Sequence, residues 1–282
     1  MKLLVTGAAG MLGHEVVAAA ERLGHEATAW DLPECDLTDL DATLAAVRRL
    51  EPRAVVNCAA YTNVDGAEAD EATAERVNAG AAGHLARACA ACGARLVHVS
   101  TDYVFDGSKR EPWLESDPVA PLGAYGRTKL HGEQQVAAEL DDHAIVRTAW
   151  LFGPHGPNFV STMLRLASER DEVSVVTDQV GSPTFAGHLA PALVDMAERT
   201  DTGIFHAAGA GSCSWYELTL EAFDIAAVTC RVLPTTAERF ARPAPRPAYS
   251  VLGSEREHPM TLPPWQEGVR AHLAATKEVA TP

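Results

Sequence analysis

The chain opens on a short apolar run, Lys2-Leu3-Leu4-Val5-Thr6, that stops at Gly7 and passes through Gly7-Ala8-Ala9-Gly10-Met11-Leu12-Gly13 into helical spacing as far as Leu23. An unbroken apolar run of strand length suits a strand buried on both faces, as a parallel sheet covered by helices requires. Glycines at such a strand-to-helix turn let backbone N–H groups approach a pyrophosphate at the positive end of the helix. The spacing here is G-x-x-G-x-x-G rather than the tighter G-x-G-x-x-G, with similar chemistry. Gly7, Gly10, Met11, Leu12 and Gly13 are therefore the first candidates for contact with a dinucleotide.

Strand and helix patterns then alternate, which points to an α/β chain with a parallel sheet. Residues 26–30 read as a second strand ending at Asp31. An acid there can accept hydrogen bonds from an adenosine ribose and repel a 2′-phosphate, which leans toward NADH over NADPH unless a basic group such as Arg53 folds in. Cys35-Asp36-Leu37-Thr38-Asp39 reads as a loop entering a capped helix through Leu50; an Asp-Leu pair at this place in dinucleotide-binding α/β folds commonly touches the adenine, so Asp36 and Leu37 are expected there. Residues 53–58 form a third strand running into Ala59-Ala60-Tyr61-Thr62, where small side chains let a cofactor pass close to the sheet edge. A helix over 71–92 and a fourth strand over 94–100 lead to Ser100-Thr101-Asp102-Tyr103-Val104-Phe105-Asp106-Gly107.

Downstream lies Tyr125-Gly126-Arg127-Thr128-Lys129, in a chain whose other lysines are Lys2, Lys109 and Lys277. Residues four apart on a helix share a face, so the Lys129 ammonium is expected to favour the tyrosinate and make the Tyr125 phenol a better acid. Hydroxyls upstream, Thr101 among them, can hydrogen-bond a substrate carbonyl and steady its developing charge. Beyond residue 152 the periodicity is less regular. Helices over 159–167 and 188–197, strands over 173–177 and 203–207, and a helix capped by Ser214 are expected there, with a frayed end from Thr276 on.

The charge balance narrows the partners. A formal net charge of −15 argues against nucleic acid or an anionic membrane surface. It leaves room for a small anionic ligand held by a few arginines and backbone N–H groups. The opening residues hold too short an apolar run for a secretory leader, and no stretch of about 18 apolar residues follows, so a cytoplasmic protein is expected. Cys89-Ala-Ala-Cys92 has the spacing of a redox or metal pair, but it lies in an alanine-rich helical stretch with no second pair, and is read as helix packing.

The glycine turn, the hydroxyl after the fourth strand and Tyr125-x-x-x-Lys129 together resemble the extended short-chain dehydrogenase/reductase family over nearly the whole chain. Asn57-Cys58-Ala59-Ala60-Tyr61-Thr62-Asn63-Val64-Asp65, Arg147-Thr148-Ala149-Trp150-Leu151-Phe152-Gly153, Asp178-Gln179-Val180-Gly181-Ser182-Pro183-Thr184, Arg246-Pro247-Ala248-Tyr249-Ser250 and Leu262-Pro263-Pro264-Trp265 are similar to one branch, the dTDP-4-dehydrorhamnose reductases. The resemblance implies a Rossmann-like doubly wound parallel sheet with a smaller C-terminal substrate-binding lobe. Residues 1–152 would bind the dinucleotide, with later segments returning to them, and residues 153–282 would mainly bind a nucleotide-sugar.

It further implies reduction, by NADPH or NADH, of the 4-keto group of a dTDP-6-deoxy-hexulose, such as dTDP-4-dehydrorhamnose to dTDP-L-rhamnose, in a monomer or homodimer. Tyr125 would protonate the keto oxygen and Lys129 would hold the nicotinamide ribose. Thr101 would hydrogen-bond the carbonyl, Asp102 and Trp150 would lie beside the sugar, and Arg246 would face the diphosphate. Trp150 reads equally as a packed core aromatic, and Arg246 as decoration of a proline-rich loop. A ketoreductase for another deoxysugar remains open. So does a regulatory binding subunit of the same fold, against which intact Tyr125, Lys129 and Thr101 argue. Asp102-Tyr103 supplies only the acidic half of the pair a dehydratase needs. Two positions depart from the family pattern. Glu15 matches one carboxylate of a magnesium site shared across a dimer, but Gly187 and Ala275 supply no partners, so no structural magnesium is expected. Tyr249 stands where an asparagine is usual.

Overall fold

The structure, a computed structural model, describes residues 1–32, 34–240 and 242–279. In chain order its elements are β1 (Lys2–Thr6), α1 (Met11–Arg22), β2 (Glu26–Trp30), α2 (Leu40–Leu50), β3 (Ala54–Asn57), α3 (Val64–Ala69), α4 (Glu71–Glu75), α5 (Ala81–Cys92), β4 (Arg95–Thr101), α6 (Ala124–Glu139), β5 (His143–Thr148) and β6 (Leu151–Phe152). They continue with α7 (Phe159–Glu169), β7 (Glu172–Val176), β8 (Val180–Gly181), β9 (Thr184–Phe185), α8 (Ala186–Glu198), β10 (Gly203–His206), β11 (Cys213–Ser214), α9 (Trp215–Ile225), β12 (Arg231–Thr235) and α10 (Trp265–Val279).

Six strands make one parallel sheet in the order β10-β5-β4-β3-β1-β2. Leu3, Leu4 and Val5 are wholly buried, as the apolar run requires of a strand covered on both faces. Leu3 and Val5 pack with Val16 of α1 and Leu189 and Leu193 of α8, while Leu4 packs with Val47 of α2 and Leu85 of α5 on the other side. The chain winds outward from β1 to β2 and then crosses to β3 on β1's other side. That reversal opens a crevice at the carboxyl ends of β1 and β3, where doubly wound sheets bind ligands.

The strand expected over 203–207 is β10, and it does not stay in the lobe. It joins the edge of the main sheet beside β5, with Phe205 opposite Val146. A short run of strand-forming residues shows a strand but not the sheet that takes it. The helix expected over 71–92 contains a π turn at Arg76–Gly80 between α4 and α5. The lobe is built on two small cores. In one, Phe152, Phe185, Leu218 and Val269 pack together; in the other, Val173, Val175, Phe223 and Val232 do so across the parallel pair β7 and β12. Ser214 caps α9 reciprocally with Glu217, as a capping box. The end expected to fray from Thr276 is helical through Val279, and residues 280–282 lie outside the described residues. No helix among the described residues is long and apolar enough to cross a membrane.

Candidate active site

The glycine turn is shaped by two close approaches. Gly7 holds φ +67°, and a Cβ there would come within 2.6 Å of the Ala59 backbone nitrogen, so β1 and β3 meet at the crevice only because the side chain is missing. A Cβ on Gly13 would come within 2.1 Å of the Gly7 carbonyl oxygen, which seats α1 tightly against the turn. Gly10 caps α1 with no side-chain hydrogen bond, and the first turn of that helix carries no acid. The N–H groups of Met11, Leu12 and Gly13 are thus left at the positive helix end, a fit for a pyrophosphate.

Asp31 closes the other side. Its carboxylate accepts the Ala9 N–H at 3.0 Å and the Leu32 N–H at 2.9 Å, and Glu34 accepts the Asp31 N–H at 2.9 Å. Two acids therefore stand where a ribose is expected. Arg53 precedes the amino end of β3, at the opposite edge of the sheet, and its backbone N–H bonds the Lys2 carbonyl. Asp36 accepts the Thr38 N–H and hydroxyl, which hold its carboxyl below the usual range. Leu37 is buried, and its carbonyl bonds His84 at 3.0 Å. Ala59 donates its N–H to Asn57 at 3.1 Å and Tyr61 to Asn78 at 2.8 Å, leaving Ala60 and the exposed Thr62 along the same edge. Asn78, on the π turn, also donates to the Tyr61 carbonyl and the Thr128 hydroxyl. The sequence reading passed over Asn78; a π turn inside a helix, a frequent mark of function, is not visible as a residue pattern.

Tyr125 lies in the first turn of α6, its ring edge-on to Tyr103 at 5.7 Å and packed, like Tyr61, against the cluster of Ala67, Ala74 and Ala124. The structure corrects the expected electrostatics. Burial pushes the phenol up to about 12, the Thr101 hydroxyl draws it down and Asp102 raises it further; Lys129 is not among these influences. The Lys129 ammonium instead reaches the sheet and donates to the Val99 carbonyl at 2.7 Å. Spacing of four residues fixes a shared helix face but not how far along that face a four-carbon stem extends. Burial lowers Lys129 to about 8, with Glu133 and Cys58 opposing.

Thr101 is buried at the end of β4, donates to Asp102 at 3.1 Å and accepts the Tyr103 N–H at 3.2 Å. Burial raises the Asp102 carboxyl to about 7, with Ser250 and Thr101 holding it down, and its Oδ2 has no hydrogen-bond partner. A buried carboxylate oxygen without a donor is suited to a ligand hydroxyl. Beneath these groups runs a polar row on the α6 side of the sheet. Thr6 donates to Asn57 at 2.7 Å, Asn57 contacts His98 at 2.9 Å, and Glu133 pairs with Arg147 at 2.9 and 2.7 Å while accepting the Ser100 hydroxyl at 2.5 Å.

Trp150 holds a left-handed φ of +46° and stacks its indole on Trp215 at 3.4 Å, with Gly181 pressed against the same ring system. Trp215 rather than Trp150 lines the lobe's cavity of about 930 Å³. Met163, Leu166, Val173 and Val175 line it with apolar groups, Arg170, Arg242 and Arg246 supply three guanidiniums, and Glu172 and Glu238 two carboxylates. Tyr249 has its phenol raised by burial, and its carbonyl accepts the Trp113 indole N–H at 3.0 Å.

Among the described residues no group of three or more histidine, cysteine, aspartate or glutamate side chains is placed to hold a metal ion. Glu15 faces His155 at 3.6 Å, and Gly187 lies against the Phe185 ring. All six cysteines are free thiols; Cys89 is buried in α5 with its pKa pushed up.

Residues 1–278 match the model of the RmlD substrate binding domain. The chain belongs to that family. It is 45% identical over 281 residues, 96% of this chain and 94% of the relative, to a probable dTDP-4,6-dihydroxy-2-methyloxan-3-one 4-ketoreductase from Streptomyces antibioticus. It is 43% identical over 289 residues, 99% of this chain and 87% of the relative, to a dTDP-4-dehydrorhamnose reductase from Mycolicibacterium smegmatis. A crystal structure of dTDP-4-dehydrorhamnose reductase from Bacillus anthracis in complex with NADP superposes with a TM-score of 0.95 at 37% identity, covering 98% of this chain and all of that one. In this RmlD-family chain, then, the crevice, the tyrosine and the cavity belong to one fold shared along its whole length.

Proposed function

We propose that the protein is a nicotinamide-dependent 4-ketoreductase that converts dTDP-4-dehydrorhamnose to dTDP-L-rhamnose. The observation that carries this reading is Tyr125. Its phenol, protonated throughout the neutral range, stands beside the Thr101 hydroxyl at the carboxyl edge of the sheet that also bears the open glycine turn. Residues 1–152, with α8 and β10 returning to them, would hold the dinucleotide, and the later segments the nucleotide-sugar.

A reduced nicotinamide supplies the hydride to the sugar's carbonyl carbon. As that carbon is reduced, the Thr101 hydroxyl donates to the keto oxygen and Tyr125 transfers its phenolic proton there, completing the alcohol. Lys129, whose ammonium lies at the Val99 carbonyl, would hold the nicotinamide ribose. Asp102 takes a sugar hydroxyl on its free oxygen. Trp215, backed by Trp150, gives the sugar an aromatic wall, and Arg246 meets the diphosphate. The chain's own residues supply every group named, so a monomer or a homodimer carries the reaction equally. The test is oxidation of NADPH or NADH on adding dTDP-4-dehydrorhamnose, with the product sugar identified by NMR; no turnover with any dTDP-ketosugar defeats the reading. A second reading is reduction of a different dTDP-ketosugar, favoured by the Streptomyces antibioticus relative's 4-ketoreductase name at 45% identity.

The NADP complex of the Bacillus anthracis relative supports NADPH, whereas Asp31 and Glu34 favour an unphosphorylated ribose. Asp31→Ala is expected to raise the ratio of kcat/KM with NADPH to that with NADH about tenfold, since the repelled 2′-phosphate loses a facing carboxylate. An unchanged ratio in steady-state assays removes Asp31 as the discriminator.

The Lys129 charge sets a pH limb. A depressed pKa means the ammonium is present below about 8 and lost as pH rises through it. In the free enzyme kcat/KM is therefore expected to fall about tenfold per pH unit above that point. A profile level to about pH 9.5 shows that this group is not the one titrating.

A further inference from the structure

Asp65, at the start of α3, is 181 residues from Arg246 in sequence, and the two are joined by a hydrogen-bonded ion pair at 3.0 Å. The same carboxylate accepts the Ala244 N–H at 3.1 Å and has the Arg242 guanidinium at 3.8 Å. It is thus the point where the dinucleotide-binding half grips the segment that carries two of the three cavity-lining arginines, Arg242 and Arg246.

That segment has little else to fix it. Pro243, Pro245 and Pro247 remove three N–H donors and hold the backbone extended, so it cannot be tied by a strand ladder. Its far end is anchored where Val180 donates to the Ala248 carbonyl at 2.9 Å and Ser250 donates to Val180 at 2.8 Å. Between the anchors Pro247 packs against Gly107, and Pro245 lies beside Gly123, the residue that precedes the Tyr125 helix. Arg246 bonds back to its own Ala244 carbonyl at 2.8 Å, and with its second terminal nitrogen on Asp65 the guanidinium plane is set. One carboxylate beside two guanidiniums leaves this group of three with a net positive charge, in which a diphosphate finds pre-oriented donors.

We infer that Asp65 is a positioning residue for the substrate, pinning the proline-rich strap so that Arg246 and Arg242 are presented to the diphosphate of a nucleoside-diphosphate sugar. The inference rests on the substrate class proposed above. It places a determinant of sugar-nucleotide binding in the half of the molecule that binds the cofactor, on a helix that borders Ala59 to Thr62. The alternative is that Asp65 competes with the diphosphate for the same guanidiniums, and the two differ in sign.

The experiment is calorimetric binding of dTDP, thymidine and NADPH to the wild-type protein, Asp65→Asn and Asp65→Glu, with thermal unfolding recorded for each. The asparagine keeps the shape and the Ala244 contact but turns an amide toward Arg246. It is expected to weaken dTDP about tenfold, in line with loss of a charge-assisted anchor, while thymidine and NADPH stay within about twofold. Asp65→Glu keeps the charge and is expected to fall between; it gives the same reading should the asparagine variant not fold. In the background Arg242→Ala/Arg246→Ala, Asp65→Asn is expected to cost nothing further. Tighter dTDP binding in Asp65→Asn, an affinity within twofold of wild type, or equal losses for dTDP and NADPH each overturn the inference. Failure of the wild type itself to bind dTDP refutes the substrate class instead.

Discussion

Tyr125→Phe is expected to lower kcat about a thousandfold, with KM for the sugar nucleotide and the affinity for NADPH changed by no more than about twofold. The phenylalanine keeps the ring that packs edge-on to Tyr103 and against Ala67, Ala74 and Ala124, so folding and the shape of the crevice are preserved. What disappears is the proton. With the phenol held near 12, Tyr125 is a neutral donor at every working pH, and its proton is delivered only as the reduced carbon's oxygen gains charge. In the proposed reaction Thr101 still hydrogen-bonds the ground-state carbonyl, so binding is expected to survive and the chemical step is not. Stopped-flow single turnovers with saturating cofactor measure that step directly; a fall of less than about tenfold would mean that another group or a water donates the proton.

This site was legible in the sequence where its parts are local. The turn from Gly7 to Gly13, the acid closing β2 and the tyrosine and lysine one helical turn apart are all set by spacing within a single strand-turn-helix unit or a single helix. Reading failed where a side chain answers to a distant partner. Spacing of four residues pairs Lys129 with the phenol, but its ammonium donates a hydrogen bond to the Val99 carbonyl, reached through the fold. Trp150, in the bend between β5 and β6, reads equally as core or ligand contact in the sequence because its partner, Trp215, opens the distant helix α9 and stacks on it only once the lobe has formed. Asp65 stood in plain view in a segment similar to the family's pattern, yet its role becomes visible only when a strap 181 residues away returns to it. β10 shows the same limit at the level of the fold, since the apolar residues along 203–206 say nothing of which sheet edge is free.

The buried pair beneath the site carries the second large effect. Glu133 and Arg147 are 4% and 2% exposed and share two hydrogen bonds, with Ser100 donating to the same carboxylate. Glu133→Gln leaves the guanidinium buried without a counter-charge, in a region where Arg147 already has one nitrogen without a partner. Breaking such a pair on one side costs about 3–5 kcal/mol, so a fall in Tm of roughly 10 °C is expected. Replacing both partners by apolar residues of similar volume, Glu133→Leu with Arg147→Met, removes the orphaned charge and is expected to recover most of the stability. The same pair reaches the chemistry through Lys129. Glu133 is the first of the groups that oppose the lowering of its pKa by burial, so without that carboxylate the ammonium is lost at a lower pH and the alkaline limb of kcat/KM moves below about 8. The double variant separates the two roles, because its stability returns while its limb stays displaced. Denaturant unfolding and pH profiles on the wild type, the single variant and the double variant decide it. A single variant within about 1 kcal/mol of wild type shows that Arg147 finds another partner or water, and an unmoved limb in the double variant shows that Lys129 does not feel Glu133.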